Sequence, residues 1–264
     1  MIRRGLVAVT IVHMLCAEMM LSQTTPLLIA SAGSGEADRS SPWSTLQNPA
    51  CIPIDGVPVV AVWGEHGRRG LNGLVIGGAA LYSRILSMDM SVALSAIDYE
   101  SYHDMTISLG SVLSVAPDLY AGLRAGGRMV FIPGAGSTVS PVLEMGAVVP
   151  ASHDLGVAVR FRAVREPRRP TETSLVIAWT FEIDGTTRLL GALRGSSNGS
   201  RTASLGFALA PSDDVAIRVG AEAPSGKAGV GVSIATGPSV IDVAVASTAT
   251  IGIQGIVGAI VPLR

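Results

Sequence analysis

A chain of 264 residues with a formal net charge of −1 and 15% charged residues carries neither a basic footprint for nucleic acid nor an acidic tail. The length suits one large domain, so a second is not required. All basic residues are arginine except Lys227, and the only cysteines are Cys16 and Cys51.

The N-terminus opens with the basic stretch Met1-Ile2-Arg3-Arg4, followed by an apolar run over residues 5–21. That order is a Sec-type signal peptide spanning residues 1–22, with cleavage after Ser22 or as late as Ala32. Cys16 leaves with it, so the mature chain has no intramolecular disulfide although export would permit one. Cys51 reads as a small buried residue. Residues 23–42 are rich in Ser, Thr, Gly and Ala without periodicity and are expected to form a flexible leader. Residues 43–56 are compact and turn-rich. Beyond the signal no stretch offers about 18 uninterrupted apolar residues, so a transmembrane helix is not expected.

Residues 57–264 read as strands and turns. The segments are 57–64, 71–82, 84–97, 104–116, 118–132, 137–149, 154–165, 172–183, 186–194, 201–210, 214–223, 227–236, 239–247 and 251–263. Each is close to the 9–11 residues that cross a bilayer at a tilt. The first two are the weakest, because residues 71–81 are glycine-rich and alternate poorly. From residue 105 to 263, odd positions are apolar and even positions are small, polar or charged, a period of two that only strands produce. Within 118–132, Leu119, Ala121, Leu123, Ala125, Met129 and Phe131 share one side. Val230, Val232 and Ile234 are the exception, where one strand shifts its phase.

The turns add an independent signal. Pro and Asp mark residues 115–119, 149–155 and 210–215, as tight turns require. Together with Asp184-Gly185 and Gly237-Pro238 these fall at one end of the strands. The longer pieces, 98–103, 133–137, 165–170 and 196–200, fall at the other. An outer-membrane barrel sorts its connections this way.

The even face carries Arg124, Arg128, Glu144, Arg160, Arg162, Arg188, Arg194, Arg218, Glu222 and Asp242. Asp89 takes the same side of a strand whose apolar positions are even. An arginine facing lipid at midplane costs about 2–4 kcal/mol, a cost that largely vanishes in a wet lumen. The plainer alternative makes these charges the solvated face of an antiparallel sheet on a core. The fold expected is all-β: a transmembrane antiparallel barrel of about 14 strands, with residues 43–56 as a plug and the charges facing the lumen. Aromatics are few, with three Trp, four Tyr and four Phe. Phe131, Phe161, Trp179, Phe181 and Phe207 point outward and would form a partial belt.

The segment Leu46-Gln47-Asn48-Pro49-Ala50-Cys51-Ile52 resembles the PorV/PorQ family of outer-membrane barrels, which is related in architecture to FadL-type transporters. That family places an Asn-Pro-Ala motif shortly after the signal peptide, just before its first strand; Cys51 stands where a Gly is usual. Residues 210–261 are similar too, with a Pro-Ser turn, one strand, then Ala235-Thr236-Gly237-Pro238-Ser239 and two closing strands. The resemblance implies a fourteen-stranded barrel with an N-terminal segment tucked inside, fixed by Asn48, Pro49 and Ala50. It also implies service in type IX secretion, handling or anchoring exported proteins, whereas FadL relatives pass hydrophobic compounds. The chain departs from many outer-membrane barrels in ending Val261-Pro262-Leu263-Arg264 instead of in Phe.

Catalytic chemistry is not expected. Gly195-Ser196-Ser197-Asn198-Gly199 matches the G-x-S-x-G pattern, but a nucleophile needs a strand-to-helix elbow. Here the pattern lies between two strands, and Asn198-Gly199 is a hairpin signal. His66, His103 and His153 are far apart and read as solvated turn residues, without metal-ligand spacing. Asp98, Glu100, His103 and Asp104 read as an exposed polar loop, and Arg165 to Pro170 as a solvated basic tip. No cofactor and no metal are expected. The function expected is a non-enzymatic barrel of the bacterial outer membrane serving protein export or cell-surface attachment. The alternative is a FadL-like conduit for small hydrophobic molecules, and the further one an exported soluble all-β structural or adhesive protein. The partners expected are outer-membrane lipid, with exported cargo proteins, secretion components or a small hydrophobic ligand, and no nucleic acid.

Overall fold

In the computed structural model the alternating segments close into one sheet. The structure describes residues 37, 43–51, 57–66, 74–85, 88–100, 102–150, 154–167, 170–248 and 252–263. Among them are fourteen strands: β1 (Val59–His66), β2 (Val75–Ile85), β3 (Met88–Tyr99), β4 (Tyr102–Ala116), β5 (Leu119–Ile132), β6 (Gly136–Pro150), β7 (Leu155–Val164), β8 (Glu172–Asp184), β9 (Thr187–Ser196), β10 (Arg201–Ser212), β11 (Val215–Ala223), β12 (Lys227–Thr236), β13 (Ser239–Thr248) and β14 (Gly252–Pro262). Each pairs antiparallel with the next in sequence, and β1 closes on β14 from Val59↔Pro262 to His66↔Gly255. The sheet has no free edge, and among the described residues no second sheet lies behind it. The signal peptide, the leader apart from the buried Ala37, and residues 52–56 of the plug lie outside the described residues.

The period of two becomes two faces. Outward stand Leu109, Leu123, Leu143, Ile177, Leu205 and Val257, all more than one-third exposed, and every strand adds to them. An apolar surface of that extent is not one a soluble protein presents. Inward stand Ala, Ser, Gly and the charged residues. β12 does shift its phase: Val230, Val232 and Ile234 are exposed because they lie opposite Val219, Ile217 and Val215. The weak alternation of β2 has a cause in packing. Gly78 lies opposite Trp63 on the inward face, and a Cβ there would overlap its indole ring.

Hairpin connections alternate between two ends, as the up-and-down order requires. Residues 117–118, 185–186, 213–214 and 237–238 form tight turns at one, here the turn end; 133–135, 165–167 and 197–200 lie at the other, the loop end. The outward aromatics do not form one belt. Phe131 sits by the loop end opposite His103, and Phe181 by the turn end opposite Leu155.

Candidate functional site

The described part of the N-terminal segment lies inside the barrel. It comprises a short helix, α1 (Trp43–Gln47), and a 3-10 turn over Pro49–Cys51, with every residue of both buried. A five-residue helix is too short to persist alone, and its last carbonyls have no partner within it. The barrel wall supplies partners. Arg124 of β5 donates from Nη1 to the Leu46 carbonyl at 2.9 Å and from Nη2 to the Thr45 carbonyl, and Arg160 of β7 donates to the Gln47 carbonyl at 2.6 Å. Two guanidinium groups thus hold the negative end of α1, where cations are favoured. Trp43 and Leu46 pack on inward alanines, among them Ala61, Ala80, Ala93 and Ala244.

Asn48, Pro49 and Ala50 are seated by two glycines. Gly122 of β5 and Gly146 of β6 are direct neighbours in register. A Cβ on Gly122 would overlap the backbone of Pro49 and Ala50; one on Gly146 would overlap the Asn48 amide oxygen and lie 3.2 Å from Pro49 Cδ. Asn48 folds the segment on itself: its Oδ1 accepts from the Ala50 amide at 3.0 Å, and its amide N–H donates to the Ser44 carbonyl at 2.8 Å. Its Nδ2 reaches the Val159 carbonyl of the wall at 3.4 Å. Cys51 is buried against this wall in a cluster with Ala50, Val148, Ala158 and Val176.

The inward charges form separate groups. Arg124, Glu144 and Arg162 are cross-strand neighbours on β5, β6 and β7, with Glu144 2.7 Å from Arg124 and 3.1 Å from Arg162. Across the lumen, Asp242 of β13 accepts from the Trp43 indole at 2.7 Å, while Ser233 links it to Arg218. The described part of the segment is therefore held on two sides, by β5–β7 and by β13. Arg128 joins Asp104 at 2.8 Å and Glu166 at 3.3 Å towards the loop end. Asp89 pairs with Arg84 at 2.8 Å near the turn end, and Arg194 approaches Glu222 at 3.5 Å. Arg188 lines a recess of about 540 Å³ at the turn end together with Arg218, Ser233, Asp242 and Ile260.

Sequence reasoning missed Trp43, Gly122 and Gly146, and it placed Asp104 in an exposed polar loop, whereas Asp104 is buried within β4 and paired with Arg128. Asp104 follows the inward parity of β4 and was legible as such. The two glycines carried one signal: both are inward, without side chains, on adjacent strands.

Residues 195–199 form the β9–β10 hairpin, with Gly199 at φ 87° and Ser197 Oγ accepting from the Thr173 amide at 3.0 Å. No helix follows, so Ser197 lacks the elbow a nucleophile needs. His103 lies within β4, 2.7 Å from Asp98 across the β3–β4 hairpin and stacked on Phe131; His153 lies outside the described residues. Among the described residues no three His, Cys, Asp or Glu come together as metal ligands, and no helix is long and apolar enough to cross a membrane.

No family model matches the sequence, and no curated protein does. Solved structures do share its shape. The CymD monoaromatic hydrocarbon channel superposes with a TM-score of 0.68 at 12% identity, over 90% of this chain and 97% of that one. The Pseudomonas putida toluene transporter TodX gives 0.62 at 10% identity, over 90% and 96%. A Pseudomonas aeruginosa FadL homologue gives 0.60 at 10% identity, over 90% and 96%. These are FadL-like barrels, not proteins of PorV/PorQ type, so the resemblance read in the sequence holds at the level of barrel architecture. At these identities the likeness shows the fold alone: a closed fourteen-stranded antiparallel barrel.

Proposed function

We propose that this chain is a non-enzymatic outer-membrane barrel that admits small hydrophobic molecules, reached by Sec-type export. The observation that carries the reading is the joint one of shape and interior. A barrel that matches hydrocarbon channels over nine-tenths of its length holds its N-terminal segment within the lumen, under a wall whose outer face is apolar. In this reading Arg124, Arg160 and Asp242 anchor the plug, and Asn48, Pro49 and Ala50 are its seated end. Protein export or surface attachment, the first expectation from the sequence, draws support from none of these observations.

The test is uptake. Expressed in the outer membrane of a Gram-negative host, the barrel should raise entry of a monoaromatic hydrocarbon such as toluene and leave entry of a sugar of similar mass unchanged. Heat-modifiable gel migration verifies that the barrel is inserted. An inserted, heat-modifiable barrel without any gain in hydrocarbon entry would refute the transport role.

A further inference from the structure

The lipid-side face is not evenly filled. A groove of about 820 Å³ lies over β7–β11 close to the loop end, where Ser196, Ser197 and Pro224 border it; most of its lining is outward, and the inward Ser174, Arg194 and Thr202 touch its rim. Its residues form two cross-strand rows. One runs Phe161, Leu175, Gly195 and Arg201; the other runs Ile177, Leu193, Ala203 and Ala223. Gly195 leaves a gap between Leu175 and Arg201, and the two alanines keep the floor low. The gap is open: a Cβ on Gly195 would meet nothing within 4 Å. Gly191, on the same face of the same strand, is different, because the Trp179 ring already covers it.

Arg201 makes the groove more than a shallow place in the wall. It is exposed at the start of β10 and forms no ion pair among the described residues. A guanidinium on the outer face of a barrel is costly at the bilayer midplane and nearly free at the interface. At that level the complementary group is an anionic lipid headgroup. An apolar channel leading away from an interfacial cation has the shape and charge of a lipid: acyl chain below, phosphate above.

We infer that this groove binds an acyl lipid of the surrounding bilayer, with its chain over Gly195 and Ala203 and its phosphate on Arg201. The inference rests on the outer face being membrane-embedded, as proposed above, and adds a specific lipid site to it. The test uses the detergent-solubilised full barrel in native mass spectrometry, offered phosphatidic acid and phosphatidylcholine together. The wild type should retain phosphatidic acid in preference. Arg201→Gln should cut that preference on the order of fivefold, the worth of one interfacial cation. Gly195→Leu, for which there is room, should fill the groove and lower retention of both lipids. Hydrocarbon uptake and heat-modifiable migration are measured on the same variants. Unchanged lipid retention in both variants, with insertion and uptake intact, overturns the lipid site alone. Loss of a dimer mass in Gly195→Leu, without lipid retention in the wild type, also overturns it and assigns the face to a second copy. A wild-type barrel that fails to insert removes the underlying membrane reading instead.

Discussion

Gly146→Ala adds one methyl group where the plug is seated, and its consequence can be worked from the contacts. The new Cβ would lie 2.9 Å from Asn48 Cγ and 3.2 Å from Pro49 Cδ and overlap Asn48 Oδ1. Asn48 can yield only by giving up its bonds to the Ala50 amide and the Val159 carbonyl. Overpacking of this kind costs about 1–3 kcal/mol, and each hydrogen bond lost about 1 kcal/mol. Giving up the two bonds relieves the overlap, so the two costs are alternatives and not a sum, and about 2–3 kcal/mol shifts the seated–unseated equilibrium of the plug by roughly 30- to 150-fold. Cys51 supplies the readout, being 1% exposed beside this contact. With Cys16 replaced by Ser, its modification by a small thiol reagent reports unseating. Gly146→Ala should accelerate labelling within that range. Gly127→Ala, where a Cβ meets nothing within 4 Å, should leave the rate unchanged. Equal labelling rates in wild type and Gly146→Ala would show that the two glycines do not seat the plug.

Arg124→Met should destabilise the barrel by about 3–5 kcal/mol, since it takes the 2.7 Å guanidinium partner from the buried Glu144 and frees two helix carbonyls; a detergent thermal melt followed by band shift reads this. Trp43→Phe keeps an aromatic ring but removes the 2.7 Å bond to Asp242, costing about 1–3 kcal/mol; Cys51 labelling should rise while heat-modifiability persists. Leu123→Arg puts a charge on the outward face, at 48% exposure, and should cost about 2–4 kcal/mol in lipid if this position is near midplane. Its unfolding in vesicles, compared with Leu123→Ala, is the check.

The strands were readable because each one declares its faces by itself. Parity alone places Arg124, Glu144 and Asp242 inward, and the shift of β12 was visible in Val230, Val232 and Ile234 before any partner strand was known. The site was less readable because its bonds cross between elements. Trp43 and Asp242 are 199 positions apart, and a helix of five residues has no periodicity to announce it. Arg124 looked like any lumen charge; that it caps α1 depends on where the helix lies. β2 looked doubtful for a physical reason, since Gly78 gives up its side chain to Trp63. In the proposed reading Asn48-Pro49-Ala50 seats a segment against the barrel wall, a role in architecture that names no cargo or substrate.

The central claim is that hydrocarbon meets the apolar face while the small and charged side chains look inward. Ile107 and Thr106 are adjacent on β4, the first 53% exposed and the second half-buried on the inward side. Spin labels placed singly at these positions in vesicle-embedded protein can be relaxed by oxygen, which concentrates in the bilayer. The label at 107 should collide freely with oxygen and the label at 106 should be shielded. Strong oxygen relaxation at 106 with protection at 107 would turn the barrel inside out and end the proposal.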